Sequence, residues 1–475
     1  MREKNMTFEE KELEILRTAV DKAEKRVAGK LAQSDLIRDV NDIVEQFIRD
    51  KKLICYGGTA INNILPAEDQ FYDKDVDIPD YDFFSINAVN HAKELADIYL
   101  SKGYSDVEAK SGVHKGTYKV FVNFIPVADI TYLVPEIYKT LQKDVVKVNG
   151  LSYAPPNFLR MGMYLELSRP DGDVSRWEKV LKRLILLNKN YPIKNSKCDT
   201  INFQRSFEGE KRDRDDIYYT VRDSIIDQGL VFFGGFASTM YSKYMPIKQR
   251  KQLLTIPDFD VLTEDPEKTS TILKERLLEK GYTNVKVVVK PPIGELVDTH
   301  YELLVDKETL CMLYKPTACH SFNTIKVGKK TIKIATIDTM LSFYLAFLYA
   351  NRPYFDTERL LCMSEYLFIV QSKNRLKQKG LLKRFTVNCY GKQETMEDIR
   401  SQKASKFKEL QNKRTSKEYE EYFLRYTPGE KKNTKKRKKK KTTKKNNTKA
   451  KKKTNSKINK TRKSRFSSLK NKLGL

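Results

Sequence analysis

The sequence predicts an α+β protein made of two copies of one unit, with a helical N-terminus and a basic tail. One phrase occurs twice. Leu53-Ile54-Cys55-Tyr56-Gly57-Gly58 precedes Pro79-Asp80-Tyr81-Asp82, and Leu230-Val231-Phe232-Phe233-Gly234-Gly235 precedes Pro257-Asp258-Phe259-Asp260. The copies also stay in register. The glycine pairs lie 177 positions apart, Lys102-Gly103-Tyr104 and Lys280-Gly281-Tyr282 lie 178 apart, and Arg169-Pro170 and Arg352-Pro353 lie 183 apart. Several matches in register mark an internal duplication. The charge is uneven as well: residues 431–475 hold 22 Lys and Arg and no Asp or Glu. Of the net +28, only +6 is left on residues 1–430 once those 22 charges are set aside.

At 475 residues the chain has room for two or three domains, and 40% hydrophobic residues suits a packed core. No apolar run approaches the roughly 18 residues that a membrane span needs. The N-terminus Met1-Arg2-Glu3-Lys4 is charged, unlike a signal peptide, so a soluble intracellular protein is expected. Six scattered cysteines without a C-x-x-C pair suggest a reducing compartment and no disulfide framework. Cys311, Cys319 and His320 fit no zinc spacing and are expected to be buried near a strand.

The elements follow in order. Thr7-Phe8-Glu9-Glu10 reads as a capping box opening a helix with Leu13, Leu16, Val20 and Ala23 at helical spacing. A second helix after Ser34 carries Leu36, Val40, Ile43, Val44 and Phe47 on one face. A strand over 53–56 runs into Gly57-Gly58 and a helix from Thr59 to Leu65. Asp80–Phe83 is a short strand, and Ser85 starts a helix that Gly103 stops. Strands over 117–125 and 127–133 close the unit. Residues 136–190 read as largely helical, with Phe158, Met161, Leu165, Val180, Leu184 and Leu187 as core. Trp177 is expected to pack between lobes. The second copy repeats the order from a helix over 214–228 onward. A charged helix is expected over 401–426. The Lys/Asn/Thr tail beyond it has too little apolar surface to fold.

Two glycines after a strand let the backbone turn sharply and approach a ligand, and a following helix offers free N–H groups to an anion. Such a junction is also an ordinary tight turn. Carboxylates at i and i+2 of a strand share one face, so Asp80 and Asp82 converge, and a hard cation relieves their repulsion. Asp75-Val76-Asp77 has the same form and competes, but only Asp80/Asp82 recurs in the second copy. In Val127-Ala128-Asp129-Ile130-Thr131-Tyr132 one acid interrupts an apolar strand, which is costly unless it binds something. Asp129 is thus the third ligand. The corresponding Thr309-Leu310-Cys311-Met312-Leu313-Tyr314 has no acid.

The segments Tyr56-Gly57-Gly58-Thr59-Ala60-Ile61, Pro79-Asp80-Tyr81-Asp82-Phe83-Phe84-Ser85 and Val127-Ala128-Asp129-Ile130-Thr131-Tyr132 resemble the nucleotidyltransferases of the DNA polymerase β superfamily. They are closer still to the poly(A) polymerase catalytic subunit of large nucleocytoplasmic DNA viruses. The resemblance covers about residues 40–190, with 210–370 as a degenerate second domain. The interval from Gly58 to Asp80 is longer than usual in the superfamily. The resemblance implies two tandem nucleotidyltransferase-like domains and template-independent transfer of AMP from ATP to RNA 3′ ends. It further implies two Mg²⁺ (or Mn²⁺) ions on Asp80, Asp82 and Asp129, with Gly57, Gly58, Thr59 and Ser85 at the nucleotide. Lys110, Lys115, Lys119 and Arg160 are candidates for phosphate contact, with a solvated surface charge as the alternative for each.

The expected organisation is N-terminal helices over 1–50, a catalytic domain with a helical extension over 51–190, and a connector over 191–212. A degenerate domain over 213–400, a charged helix over 401–430 and a tail over 431–475 follow. The second domain is open to three readings: a second active site, an inactive RNA platform, or the surface of a homodimer. Loss of the third acid favours a structural role. The partners implied are an RNA 3′ end and ATP, with no membrane. The tail would hold RNA phosphates or serve as a nuclear address. The location expected is host cytoplasm or virion, with the nucleus as alternative. CCA- or U-adding enzymes and a non-catalytic RNA scaffold are the rival readings.

Overall fold

The computed structural model describes residues 7–32, 35–72, 79–201, 203, 211–253 and 258–430. The first half runs α1 (Phe8–Ala32), α2 (Asp35–Lys51), β1 (Ile54–Tyr56), α3 (Gly57–Ile64), β2 (Tyr81–Ser85) and α4 (Ala88–Ser101). It continues with β3 (Val107–Ser111), β4 (Thr117–Val122), β5 (Ile125–Tyr132), α5 (Pro135–Lys143), β6 (Val146–Val148), β7 (Leu151–Tyr153), α6 (Pro156–Leu167) and α7 (Trp177–Asn190). The second half runs α8 (Lys211–Asp227), β8 (Val231–Phe232), α9 (Gly235–Tyr241), α10 (Ile247–Gln252), β9 (Phe259–Leu262), α11 (Pro266–Glu279), β10 (Val285–Lys290) and β11 (His300–Val305). Then come β12 (Glu308–Tyr314), β13 (His320–Val327), β14 (Lys330–Ala335), α12 (Ile337–Phe347), α13 (Thr357–Lys373), β15 (Cys389–Tyr390), α14 (Met396–Leu410), α15 (Lys417–Phe423) and β16 (Arg425–Tyr426).

The strands form two mixed sheets of one design. The first is ordered β16-β3-β4-β5-β2-β1-β7-β6, the second β10-β11-β12-β9-β8-β14-β13-β15. Without the added strands β16 and β15, the orders coincide strand for strand. Directions agree too: β2 and β5 are parallel, as are β9 and β12, and each glycine-bearing strand is antiparallel to its acid-bearing neighbour. Burial follows the sequence pattern. Val40, Val44, Phe47 and Ile48 of α2 are buried, the i, i+4, i+7 stripe of an amphipathic helix.

The halves share one hydrophobic core, and residues 1–429 form one compact unit. Helices α6 and α12 hold corresponding places in the two copies and pack on each other. Phe158 meets Tyr349 edge to face at 5.2 Å, Arg352 pairs with Glu136, and Trp177 lies 5.9 Å from Phe385. The tryptophan thus bridges the halves, and its indole N–H donates to the Glu166 carbonyl at 3.0 Å.

Several expectations change. Residues 136–190 include a hairpin, β6 and β7, turning through Asn149 and Gly150 at φ 50° and 78°; Asn-Gly is a preferred two-residue turn. Residues 401–426 are two helices and a strand, because Ser416 caps α15 through the Tyr419 N–H. The strand β16 then extends the first sheet. Cysteines that are distant in sequence meet: Cys198–Cys362 and Cys319–Cys389 are disulfides with Cα–Cα distances of 5.3 and 5.2 Å. The expectation of no disulfide framework is corrected here. Spacing could not reveal pairs that α13 and β15 bring together. Among the described residues no helix is long and apolar enough to cross a membrane. The tail at 431–475 and the Asp75/Asp77 pair lie outside the described residues.

Candidate active site

β1 ends at Tyr56, paired with Asp82 of β2, and Asp82 lies opposite Asp129 of β5. Asp80 directly precedes β2. Strand pairing therefore gathers the three predicted acids at the point where Gly57 opens α3. Gly57 has φ 77°, and a Cβ there would run into the Asp82 carboxylate. Glycine is required twice over, for the left-handed backbone and for the close approach.

The electrostatics are those of a site short of positive charge. Burial, then the charges of Asp80 and Asp129, push the Asp82 carboxyl up to about 7, against the pull of Lys119 and Arg176. Asp80 is raised by burial and by Asp129. Asp129 is 14% exposed; one oxygen pairs with Lys119, while the other is buried and has no hydrogen-bond partner among the described residues. An orphaned carboxylate oxygen among three like charges is a donor set fitted to a hard divalent cation.

The remaining predicted residues fall in different places. The Thr59 hydroxyl donates to the Asp80 carbonyl at 2.8 Å and so holds the acid loop against α3. Ser85 is fully buried at the far end of β2, engaged with His91 Nδ1 and the Asn87 N–H, each at 2.8 Å. Its contacts turn the chain into α4. Among the phosphate candidates, Lys119 belongs to the acid cluster, while Lys110 pairs with Glu108 at 3.2 Å. Lys115 lies over the Tyr422 ring, 4.9 Å from its centroid. Arg160 is buried and donates to Asn157 and to the Tyr191 carbonyl.

Arg183 of α7 was not singled out in the sequence. Its guanidinium donates to the Tyr72 hydroxyl at 2.6 Å and lies 4.8 Å from the Phe71 ring centroid. A Cβ at Gly58 would lie 2.6 Å from that hydroxyl and 2.9 Å from Arg183 Nη1. The signal available was the duplication itself: Arg183 lies 183 positions before Tyr366, the same offset that relates Arg176 to Arg359.

In the second half Gly234 lies against Asp260 as Gly57 lies against Asp82. Met312 stands opposite Asp260, and Glu302 opposite Met312, where the first half has Asp129 and Lys119. A cavity of about 540 Å³ persists there, lined by Asp258, Asp260, Glu302, Tyr314, Tyr354 and Arg359 among others. The Arg359 guanidinium lies 3.6 Å from Asp258.

Comparison with known proteins places this geometry. Residues 42–173 match the family model for the poly(A) polymerase catalytic subunit. The chain is similar to the putative poly(A) polymerase catalytic subunit of Acanthamoeba polyphaga mimivirus, 31% identical over 190 residues, 39% of this chain and 32% of that one. It is also similar to the protein of the same description from African swine fever virus (strain Badajoz 1971 Vero-adapted), 36% identical over 177 residues, 36% of each chain. The matches thus span about a third of the length of these curated relatives. The fold resembles the crystal structure of the Megavirus polyadenylate synthase with a TM-score of 0.72 at 21% identity, covering 86% of this chain and 85% of that one. The segment that holds Gly57, Gly58, Asp80, Asp82 and Asp129 therefore matches the poly(A) polymerase catalytic-subunit family, the family its motifs resemble.

Proposed function

We propose that this protein is a polynucleotide adenylyltransferase, transferring AMP from ATP to an RNA 3′ end without a template and releasing pyrophosphate. The observation that carries this reading is the Asp80, Asp82 and Asp129 cluster against the Gly57 turn, with one Asp129 oxygen buried and unsatisfied among the described residues. Asp80, Asp82 and Asp129 would hold Mg²⁺ or Mn²⁺, two ions in the scheme the resemblance implies. When bound, the metal supplies acidification of the 3′-hydroxyl and charge neutralisation on the leaving pyrophosphate. Asp82 must give up its proton for the site to load, and Lys119 orients Asp129 from the neighbouring strand. Gly57 and Gly58 bare the backbone N–H groups of α3 toward the triphosphate.

We read the chain as two tandem nucleotidyltransferase-like units with chemistry in the first alone. Met312 in place of Asp129 supports a non-catalytic second unit. The 22 basic residues of 431–475 suit a sequence-independent hold on RNA phosphates that weakens as salt rises. A viral setting, in host cytoplasm or virion, fits the relatives, and the basic tail leaves a nuclear setting as the alternative. The test is incubation with Mg²⁺, an RNA primer and each labelled nucleoside triphosphate in turn. ATP alone should extend the primer. Extension by CTP or UTP would overturn the nucleotide choice, and no extension would favour a scaffold.

A further inference from the structure

We propose that Arg183 binds the phosphates of the incoming nucleoside triphosphate, and that Tyr72 positions it for the task. The inference rests on the adenylyltransferase reading and adds a residue to it. Arg183 stands at the glycine junction that opens α3, the same junction whose other glycine lies against Asp82. Its guanidinium is fixed on two sides, by the 2.6 Å bond to the Tyr72 hydroxyl and by the Phe71 ring. A guanidinium held against an aromatic ring and a hydroxyl keeps further donors for an oxyanion, with little side-chain freedom left to lose. Among the described residues no carboxylate forms an ion pair with it. Gly58 has no side chain to shut this place, since a Cβ would lie 2.6 to 2.9 Å from the Tyr72 and Arg183 atoms.

The duplication supplies an internal control. The residue 183 positions after Arg183 is Tyr366, which is buried and donates to the Gln252 side chain at 2.7 Å. The second unit thus differs from the first at three related places: Met312 for Asp129, Glu302 for Lys119, and Tyr366 for Arg183. The counterparts of Asp129 and Arg183 are replaced together, while Arg176 keeps its counterpart Arg359 beside Asp258. Such pairing is expected if both serve one metal-bound polyphosphate, and it has no reason if Arg183 merely packs against Phe71.

The test compares the full chain with its Arg183→Ala, Arg183→Lys and Tyr72→Phe variants, reading steady-state AMP transfer and equilibrium binding of ATP and of adenosine in Mg²⁺. Arg183→Ala should raise KM and Kd for ATP about 10- to 100-fold, the scale of lost hydrogen bonds to a charged group. Its kcat should fall far less, and adenosine binding should stay as in the parent. Arg183→Lys should recover part of the loss, keeping the charge without the fork. Tyr72→Phe should raise KM with kcat kept. ATP binding unchanged in Arg183→Ala overturns the proposal, and so does equal weakening of ATP and adenosine. If Arg183→Ala does not fold, the Lys and Phe variants decide by the same measurements, and unchanged ATP binding in both overturns it. A parent chain that binds ATP but transfers nothing sinks the adenylyltransferase reading, while the ATP and adenosine comparison still judges Arg183.

Discussion

Met312 stands opposite Asp260 on a parallel strand, the place that Asp129 holds opposite Asp82 in the other sheet. At this position the two sheets, alike in strand order, differ in whether a third acid stands opposite the aspartate pair. Asp129→Ala or Asp82→Ala should lower AMP transfer about a thousandfold, the scale of several kcal/mol of lost charge stabilisation. Asp258→Ala with Asp260→Ala should leave transfer close to the parent. A comparable collapse in that double variant would place chemistry in the second unit.

Gly57→Ala should abolish transfer, while Gly103→Ala should cost only stability. Both glycines have positive φ, 77° and 97°, so both alanines meet backbone strain of about 1 kcal/mol. Only at Gly57 does the new methyl also meet the Asp82 carboxylate; among the described residues a Cβ at Gly103 meets nothing within 4 Å. Primer extension alongside thermal melting separates the two effects.

The Asp82 carboxyl, pushed up to about 7 in the fold, should make the metal-free protein sensitive to pH. The folded chain keeps a proton that the unfolded chain releases near the ordinary value of 3.8. The associated stability is complete below that value and is lost as pH rises through about 7. Chelator-treated protein should melt lower at about pH 8 than at about pH 5, and Asp82→Asn should flatten that fall. Mg²⁺ should raise the melting temperature more at the higher pH, because below it the ion must displace the proton.

His320 is buried against Phe343, neither ring nitrogen hydrogen-bonded among the described residues, and burial lowers it to about 3, with Arg169 adding to the shift. Here the unfolded chain takes the proton first, at the ordinary 6.5, so stability is lost as pH falls from there toward about 3. His320→Phe should reduce the acid sensitivity of unfolding over that window. An unchanged acid limb in denaturant titrations would refute this.

Arg384 donates through Nε and Nη2 to Asp338, which is 1% exposed. Removing one partner strands a buried charge, so Arg384→Ala should destabilise by about 3–5 kcal/mol in chemical denaturation.

Much of this was legible in the sequence. The duplication appears as matching strand orders, and the register that pairs Asp82 with Asp129 follows from two short apolar runs around single acids. The Asn149-Gly150 hairpin was legible too, but its strands are only three residues each and sit among helices. What the sequence could not hold is information that arises on packing. Arg183 of α7 reaches Gly58 of α3 across more than a hundred residues of chain. Ser85 has the composition of a ligand-binding residue, and only its burial reveals the bonds to His91 and Asn87. The disulfides likewise join cysteines 164 and 70 positions apart.

The packing of α6 on α12 has a consequence for how such a duplicate endures. On the reading of the second unit as non-catalytic, that copy would ordinarily be free to drift or be deleted. Here deletion would bare the apolar surface of α6, which the first half cannot cover by itself, and unseat Phe158 from Tyr349. Selection can therefore relax at Met312 yet still act on α12. The second half persists as a wall that the first half lacks.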